Sequence, residues 1–244
     1  MSPTGLRRLS WPDCHNARDL GGLPLAGGGR VRDRALVRSD DLGRLTADGV
    51  SALRAYGVRR VIDLRNREEA AALPHALTHD PIYRLLPLID PTREPERDQV
   101  AERTKAATYQ GSVVRNSRSI VAAVSAIADA PAGTVVVHCA AGRDRTGMVV
   151  ALVLAAAGVP DEVIAADYSY SAECLRERHE LALAAVATAA HRAEMTEQQA
   201  SPPETILGML RVVADRYGDA RRYLLANGLS PAQLDRLLAR LQQR

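Results

Sequence analysis

Two apolar runs separated by a short polar segment constrain the fold of this chain most strongly. Thr134 to Val137 is a continuous β-branched run, which predicts a strand buried on both faces of a parallel sheet. Met148 to Ala157 is apolar over a helical length and is followed by Gly158, a residue typical of helix ends. The segment between them runs from His138 to Gly147. Strand, ten-residue loop and helix in this order predict an α/β fold whose loop can surround an anion at a helix start.

The sequence before this unit contains further strands for the same sheet. Residues 21–38 are rich in glycine and carry short apolar stretches on either side, which predicts a hairpin. Val58 to Leu64 predicts a buried strand. Leu85 to Ile89 lies among prolines and predicts one short strand in a segment that is otherwise loop. We therefore expect a mostly parallel central sheet.

Helical spacing dominates the other segments. Leu45 to Tyr56 has apolar residues at helical intervals, with Thr46 as a possible N-cap and Gly57 as the stop. The spacing between 99 and 129 predicts a helix ahead of the central strand. Residues 161–244 are predicted to be almost wholly helical, with a break at 201–203 and a last helix opening at Ser230. We expect one domain over residues 1–244, a sheet flanked by helices.

Composition and charge exclude several classes of protein. The chain has 244 residues, 46% of them hydrophobic, which suffices for one sizeable core. It carries 32 basic and 29 acidic residues, and this small excess does not predict a nucleic-acid-binding face. No apolar stretch reaches the roughly 18 residues of a membrane span, and the N-terminus is unlike a standard signal peptide. Export by another route and the oligomeric state are left open.

The cysteine and histidine spacings bear on compartment and metal. Cys14, Cys139 and Cys174 form an odd, scattered set without a Cys-x-x-Cys pair, which favours reduced cysteines and a cytoplasmic protein. The histidines show no spacing typical of metal ligands. We expect no metal and no cofactor.

The loop between strand and helix has the residue types of a nucleophilic phosphate site. Cys139 and Arg145 are five residues apart, so the amides between them can curl around one tetrahedral anion. A helix start and nearby cations favour the thiolate form of a cysteine, which is the nucleophilic form. The planar guanidinium of Arg145 can bind two phosphoryl oxygens, and the Thr146 hydroxyl can solvate the sulfur when it leaves. The predicted phosphate-binding residues are Ala140, Ala141, Gly142, Arg143 and Thr146.

These residues predict a phosphomonoester hydrolase that works through a phosphocysteine. Cys139 attacks phosphorus, and water then hydrolyses the intermediate, with electrostatic stabilisation contributing most of the acceleration. The leaving oxygen needs a proton, for which Asp144 is the first candidate. Asp90, at the end of the Leu85–Ile89 segment, is the second.

The loop, together with Asn16 to Gly22, resembles the bacterial tyrosine/serine protein phosphatases, whose loop reads Cys-x-x-Gly-Lys-Asp-Arg-Thr-Gly. The resemblance extends through 38–40, 63–65, 167–168 and 217–224, so it covers nearly the whole chain. It implies a cysteine-phosphatase-like fold, an acid role for Asp144, and action on phosphotyrosine, phosphoserine/threonine or, in some members, phosphoinositides. Arg143 stands where the family usually has lysine. Some members add a helical lid after the catalytic helix, and residues 173–210 are the candidate here, with an ordinary packed helix as the alternative.

Several residues near these motifs are supporting candidates. Asp63 and Arg65 at a strand end either line the crevice or form a bracing salt bridge. Bracing is also expected of Arg18 and Asp19, and His138 is expected to orient the loop through hydrogen bonds.

The sequence does not decide between two classes of substrate. A phosphorylated protein is the first expectation and a small phosphoester such as a nucleotide, sugar phosphate or inositol lipid the second. A pseudoenzyme that binds phosphorylated partners is disfavoured because Cys139, Asp144, Arg145 and Thr146 are all present. A sulfurtransferase is disfavoured by the loop ending at residues 145–147 and by the motif at 16–22.

Overall fold

The computed structural model describes residues 7–243. Within them the strands are short and belong to two sheets. The strands are β1 Arg7–Arg8, β2 Arg18–Asp19, β3 Arg30–Val31, β4 Leu36–Ser39, β5 Val58–Asp63, β6 Tyr83–Leu85, β7 Thr134–His138 and β8 Gln242–Gln243.

The larger sheet has six strands in the order β1-β2-β4-β7-β5-β6. The four strands β4, β7, β5 and β6 are parallel, and β1 and β2 extend one edge in antiparallel pairing. β3 and β8 form a separate two-stranded sheet. The mostly parallel central sheet is confirmed.

Helices supply more of the chain than strands do. They are α1 Ala47–Ala55, α2 Arg67–Ala72, α3 Lys105–Arg115, α4 Ser117–Ala128, α5 Asp144–Ala157, α6 Asp161–Cys174, α7 Arg176–Ala184, α8 Ala189–Gln199, α9 Pro203–Tyr217, α10 Ala220–Ala226 and α11 Pro231–Leu241. Single 3₁₀ turns cover Leu42–Arg44 and Glu94–Glu96. No helix in the described range is long and apolar enough to cross a membrane.

Local sequence signals explain where several helices begin and end. Thr46 caps α1 by accepting a hydrogen bond from the Gly49 amide, and Gly57 ends that helix with a φ of 91°. Ser230 opens α11 with a capping box, and Pro231 occupies the first helical position. These boundaries agree with the sequence prediction.

The sheet is covered on both faces. Val135 and Val137 of β7 belong to the larger hydrophobic cluster, which also includes buried residues of α4, α5 and α9. Val136 points to the other face and belongs to a smaller cluster with Trp11 and Leu53. The continuous β-branched run of β7 is therefore explained, since both faces of this strand are buried.

Some predicted elements differ from the observed ones. The strand expected at 85–89 lies at Tyr83–Leu85, and beyond its end the Leu86 and Leu88 amides donate to the carbonyls of Asp63 and Leu64. The helical segment between 99 and 129 is two helices that meet at Asn116. The expected hairpin forms over residues 22–31, where backbone hydrogen bonds join Gly22 and Leu23 to Val31 and Leu25 to Gly29 beside the Pro24–Arg30 bridge, whereas residues 36–39 pair with β7 in the main sheet.

Candidate active site

The cysteine loop lies at the carboxyl edge of the parallel strands. Ser39 of β4 and Asp63 of β5 both pair in register with His138, the last residue of β7. Cys139 follows immediately. α5 begins at Asp144, so Asp144 to Gly147 form its first turn. The sequence predicted these four residues as part of the loop. We call residues 139–145 the cradle.

Each backbone carbonyl from Cys139 to Arg143 lies within hydrogen-bonding reach of a side chain outside the loop. These side chains come from four separate parts of the chain. The pairs are His138 Nδ1 with the Cys139 oxygen at 3.4 Å, Arg178 with Ala140 at 3.4 Å, Asn16 with Ala141 at 2.9 Å, and Arg38 with Gly142 at 2.6 Å and with Arg143 at 3.3 Å.

This arrangement fixes the direction of the loop amides. In a planar trans peptide the N–H points away from the C=O of the same unit, so an outward carbonyl turns the next amide inward. Five amides in sequence are thereby available to one anion. Gly142 is required because its φ is 62° and a Cβ would lie 2.2 Å from the Ser39 oxygen.

A buried ion-pair network holds two of these donors. The Asp167 carboxylate of α6 accepts from Arg18 Nε at 2.7 Å and from Arg38 Nη1 at 2.6 Å. Arg18 also donates to the Asn16 Oδ1 at 2.5 Å. Burial would raise the pKa of Asp167, but the two guanidinium groups outweigh it and lower that pKa. Arg18 is therefore linked to the cradle indirectly, by Asn16 and by the Asp167–Arg38 pair.

Asp19 lies beside Arg18 in sequence but serves another part of the molecule. Its carboxylate accepts from Arg7 at 3.2 Å, from the Tyr56 hydroxyl at 2.7 Å, and from the backbone amides of Gly21 and Arg34. These contacts tie the antiparallel edge of the sheet to α1.

Asp63 and Arg65 form a salt bridge at the end of β5. Arg65 Nη2 lies 2.8 Å from Asp63 Oδ2, Arg65 Nη1 lies 2.8 Å from Asp41, and the Tyr83 hydroxyl donates to Asp63. Burial would raise the pKa of Asp63, but His138 and Arg65 hold it at about 2. The geometry is that of the bracing alternative.

Arg145 projects from the first turn of α5 and is held by Glu69. Its two terminal nitrogens lie 2.5 and 2.7 Å from the Glu69 carboxylate oxygens, a bidentate pair that fixes the plane of the guanidinium. The hydrogen bond from Arg145 is the main cause of a lowered pKa at Glu69. The sequence prediction missed Glu69, although the capping box it forms with Asn66 marks the start of α2.

Asp144 sits at the start of α5 among three donors. The Tyr109 hydroxyl donates to it at 2.6 Å, Arg143 Nη2 lies 2.9 Å away and Lys105 Nζ lies 3.4 Å away. Burial would raise the pKa of Asp144, but Arg143 and Lys105 outweigh this effect and lower it. In this geometry Asp144 is an ion-paired carboxylate.

The end of α8 contacts the same two cations. Arg143 Nη1 donates to the Gln199 carbonyl at 2.6 Å, and Lys105 donates to the carbonyls of Gln198 and Ala200 at 2.7 Å each. Carbonyls at a helix C-terminus carry partial negative charge, so the two cations are suited to them. With these contacts in place, the side chain of Cys139 is only 2% exposed.

The chain from 9 to 243 matches the model of the tyrosine phosphatase family. The chain belongs to this family. It is 30% identical to a tyrosine-protein phosphatase of Nostoc commune, over 86% of this chain and 74% of that protein. It is also 30% identical to the triple specificity protein phosphatase PtpB of Mycobacterium tuberculosis, over 93% of this chain and 96% of that protein.

The family resemblance inferred from the sequence is thus confirmed, and with it a phosphoric monoester hydrolase of the protein-tyrosine-phosphatase type. In this tyrosine phosphatase the second acid candidate, Asp90, accepts from Thr92, and its amide donates to Asn116. Within residues 7–243 none of its hydrogen bonds reaches the cradle.

The tyrosine phosphatase also brings together three buried side chains that sequence spacing did not connect. Asp63, His75 and His138 each offer one potential ligand atom, and these atoms lie within 4.8 Å of one another. Whether the group suits a metal depends on which ring nitrogens carry protons.

Proposed function

We propose that this tyrosine phosphatase hydrolyses phosphotyrosine in proteins through a phosphocysteine on Cys139, with phosphoserine and phosphothreonine as further substrates. The observation that carries the proposal is the set of five loop carbonyls held outward around Cys139, which leaves five amides for the three non-bridging phosphoryl oxygens. The Mycobacterium relative, called a triple specificity protein phosphatase, supports the wider substrate range.

The first step forms an S–P bond and breaks the P–O bond of the ester. The Cys139 thiolate supplies the electron pair, and Arg145, aligned by Glu69, stabilises the equatorial oxygens. The leaving oxygen takes a proton from Asp144. A phosphate dianion in the cradle adds negative charge beside Asp144, which favours its protonated form despite Arg143 and Lys105.

The second step hydrolyses the phosphocysteine. Water attacks phosphorus, Asp144 takes the proton, and the S–P bond breaks to return the thiolate and inorganic phosphate. The Thr146 hydroxyl is buried and has no hydrogen-bond partner among the described residues. It is therefore available to donate to the departing sulfur.

Helices α7 and α8, residues 176–199, are proposed as a cover that opens to admit substrate. Neither helix has a buried residue, yet Arg178 and the end of α8 contact the cradle. This cover is shorter than the lid of residues 173–210 expected from the sequence, because α9 buries Ile206 and Met209 in the core.

We also propose that residues 1–244 form one phosphatase domain.

A small phosphoester is the second candidate substrate. A cleft of about 450 Å³ adjoins Asp144 and is lined by Arg103, Lys105 and Tyr109 on one side and by Glu194 and Glu197 of α8 on the other. Walls of this kind suit a ligand that is enclosed.

The three cysteines Cys14, Cys139 and Cys174 form no disulfide, which supports a reducing compartment such as the cytoplasm.

A substrate panel in the presence of a chelator tests the proposal. Phosphopeptides, nucleotides, inositol phosphates and an aryl phosphate are compared for wild type and Cys139→Ser, with Cys14→Ser as the matched cysteine control. We expect phosphotyrosine peptides to have the highest kcat/KM and Cys139→Ser to lose at least about 10⁴-fold in kcat. Full activity of Cys139→Ser would refute the thiolate mechanism, and a preference for metabolites would select the second candidate.

A further inference from the structure

Behind the cradle, two buried histidines face each other with unused nitrogens. The rings of His75 and His138 lie edge to face with centroids 5.7 Å apart. The Nε2 atoms of both rings are buried and have no hydrogen-bond partner in the described structure. Unpaired buried polar atoms are costly, so a functional reason is expected for the pair.

The proton on His75 can be assigned from its other nitrogen. The backbone amide of Leu77 donates to His75 Nδ1 at 3.1 Å, so Nδ1 must present a lone pair. Burial, with a contribution from His138, lowers the pKa of His75 to about 4, which keeps the ring neutral at pH 7. A neutral ring with a lone pair on Nδ1 carries its proton on Nε2.

His138 has two competing arrangements. Its Nδ1 lies 3.4 Å from the Cys139 carbonyl oxygen, which favours a proton on Nδ1. Its Nε2 lies 3.7 Å from Asp63 Oδ2, which favours a proton on Nε2 instead. Asp63 already accepts hydrogen bonds from Arg65 and from the Tyr83 hydroxyl, which reduces its attraction for the His138 proton, although Asp41 shares the same Arg65.

We propose that His75 is a positioning residue that acts through His138 on the first peptide of the cradle. One ring nitrogen of each histidine lies within 4.8 Å of the other, so a His75 Nε2–H that donates to the lone pair of His138 Nε2 would keep the His138 proton on Nδ1. That proton holds the Cys139 carbonyl, so the Ala140 amide points at the phosphate. A small ring rotation or one bridging water closes the link. The role rests on the proposed phosphatase function.

A metal ion fits these three side chains less well. A metal on His75 Nε2 would require the proton on Nδ1, where it would face the Leu77 N–H. The Asp63 carboxylate is also neutralised already by Arg65. The donor set therefore favours a histidine-to-histidine hydrogen bond.

Two substitutions separate positioning from a structural role of His75. Asn places a carbonyl oxygen near the position of Nδ1, so His75→Asn keeps the Leu77 contact and loses the donor to His138. Gln reaches the position of Nε2, so His75→Gln keeps the donor and loses the Leu77 contact. We expect kcat of His75→Asn to fall about three- to tenfold and His75→Gln to retain most of it, with KM little changed in both. A structural role predicts the reverse order.

Nitrogen NMR of the histidine rings provides a readout that does not depend on enzymatic activity. In wild type we expect a neutral His138 with its proton on Nδ1 and a neutral His75 with its proton on Nε2. His75→Asn should move the His138 proton to Nε2, and His75→Gln should leave it on Nδ1. A His138 tautomer that is the same in all three proteins, or a wild-type proton on Nε2, would overturn the proposal.

Two controls separate this proposal from its alternatives. If wild type hydrolyses no phosphoester, the proposed function fails while the ring spectra still decide the role of His75. Zinc titrated into wild type should not bind stoichiometrically at these residues. One equivalent of zinc bound by wild type and by Cys139→Ser but lost in His75→Gln would establish a metal site and refute the hydrogen bond.

Discussion

The cradle and the two cover helices are built in opposite ways, although they touch. Four of the five cradle carbonyls are held by the buried side chains of Asn16, Arg38 and His138, and only the Ala140 carbonyl is held by a cover residue, Arg178 of α7. α7 and α8 bury no residue of their own and leave Leu181 70% exposed. The cover is joined to the cations beside Asp144 mainly by three carbonyls at one helix end.

The difference separates two requirements of one site. Amides that bind a developing charge must be in place before the reaction, because reorganising them would add to the barrier. A segment that admits substrate must detach at small cost, which a large apolar contact would prevent. The contrast can be tested at several levels.

Hydrogen exchange should show the largest difference. Amides of α5 have buried side chains around them and should exchange only on global unfolding, whereas those of α8 should exchange by local opening. We expect protection to differ by about 1000-fold or more, measured by mass spectrometry at neutral pH. Equal protection of the two helices would contradict a detachable cover.

Substitution of an arginine should have a large effect in the cradle and little in the cover. Arg145→Lys loses the bidentate geometry that Glu69 aligns, and kcat for an aryl phosphate should fall about 100-fold. Among residues 7–243 the side chain of Arg192 in α8 donates to the Val186 carbonyl of the cover alone, so Arg192→Lys should change kcat less than twofold. Similar losses in both would show that the cover is part of the catalytic machinery.

The acid role of Asp144 should appear as a dependence on the leaving group. Asp144→Asn should slow alkyl phosphates by about 100-fold and activated aryl phosphates much less, since only the former need a proton. Glu197 lines the same cleft from the cover side, and Glu197→Gln should slow both classes equally and slightly. Uniform slowing by Asp144→Asn would remove Asp144 as the acid.

Acid should destabilise the cradle side more than the cover. We expect this difference to be smaller than the three differences above. The pKa of His75 is about 4, so the folded chain binds its proton later than the unfolded chain as pH falls. Stability is therefore lost between about pH 6.5 and about pH 4, a window above that of Asp63, whose pKa is about 2.

Thermal unfolding of two variants checks this window. His75→Gln should reduce the fall in Tm across it by a few degrees. His179 of α7 also has a pKa of about 4, through burial and nearby arginines. Because α7 opens before global unfolding, His179→Gln should leave the slope nearly unchanged. An equal effect of the two variants would indicate that the cover unfolds together with the core.

The sequence predicted those parts of the fold that depend on local patterns. The β-branched run of β7 and the glycine after α5 identify the strand and the helix directly. The helix start was predicted too late because Gly147 and the polar residues before it disguise the first turn. The break at Asn116 could not be seen, because apolar spacing continues across it and Asn116 bonds to the distant Asp90 amide.

Local sequence patterns could not predict contacts between side chains that are far apart in the sequence. Arg18 and Asp167 are separated by 149 residues, and Asn16 and Ala141 by 125. Motif resemblance pointed to Arg18 and Asp167 without showing that they form one network. His75 carried no signal at all, since its role depends on a ring that another strand places beside it.

Lys105 is the only lysine of the chain, and it lies where the cover meets the cradle. Lysine-directed chemistry, whether a label, an acetyl group or a lysine-specific protease, therefore has one side chain to address. Acetylation there would remove the charge that holds the end of α8 and accompanies Asp144. A dye on this residue would act as a single built-in sensor of opening.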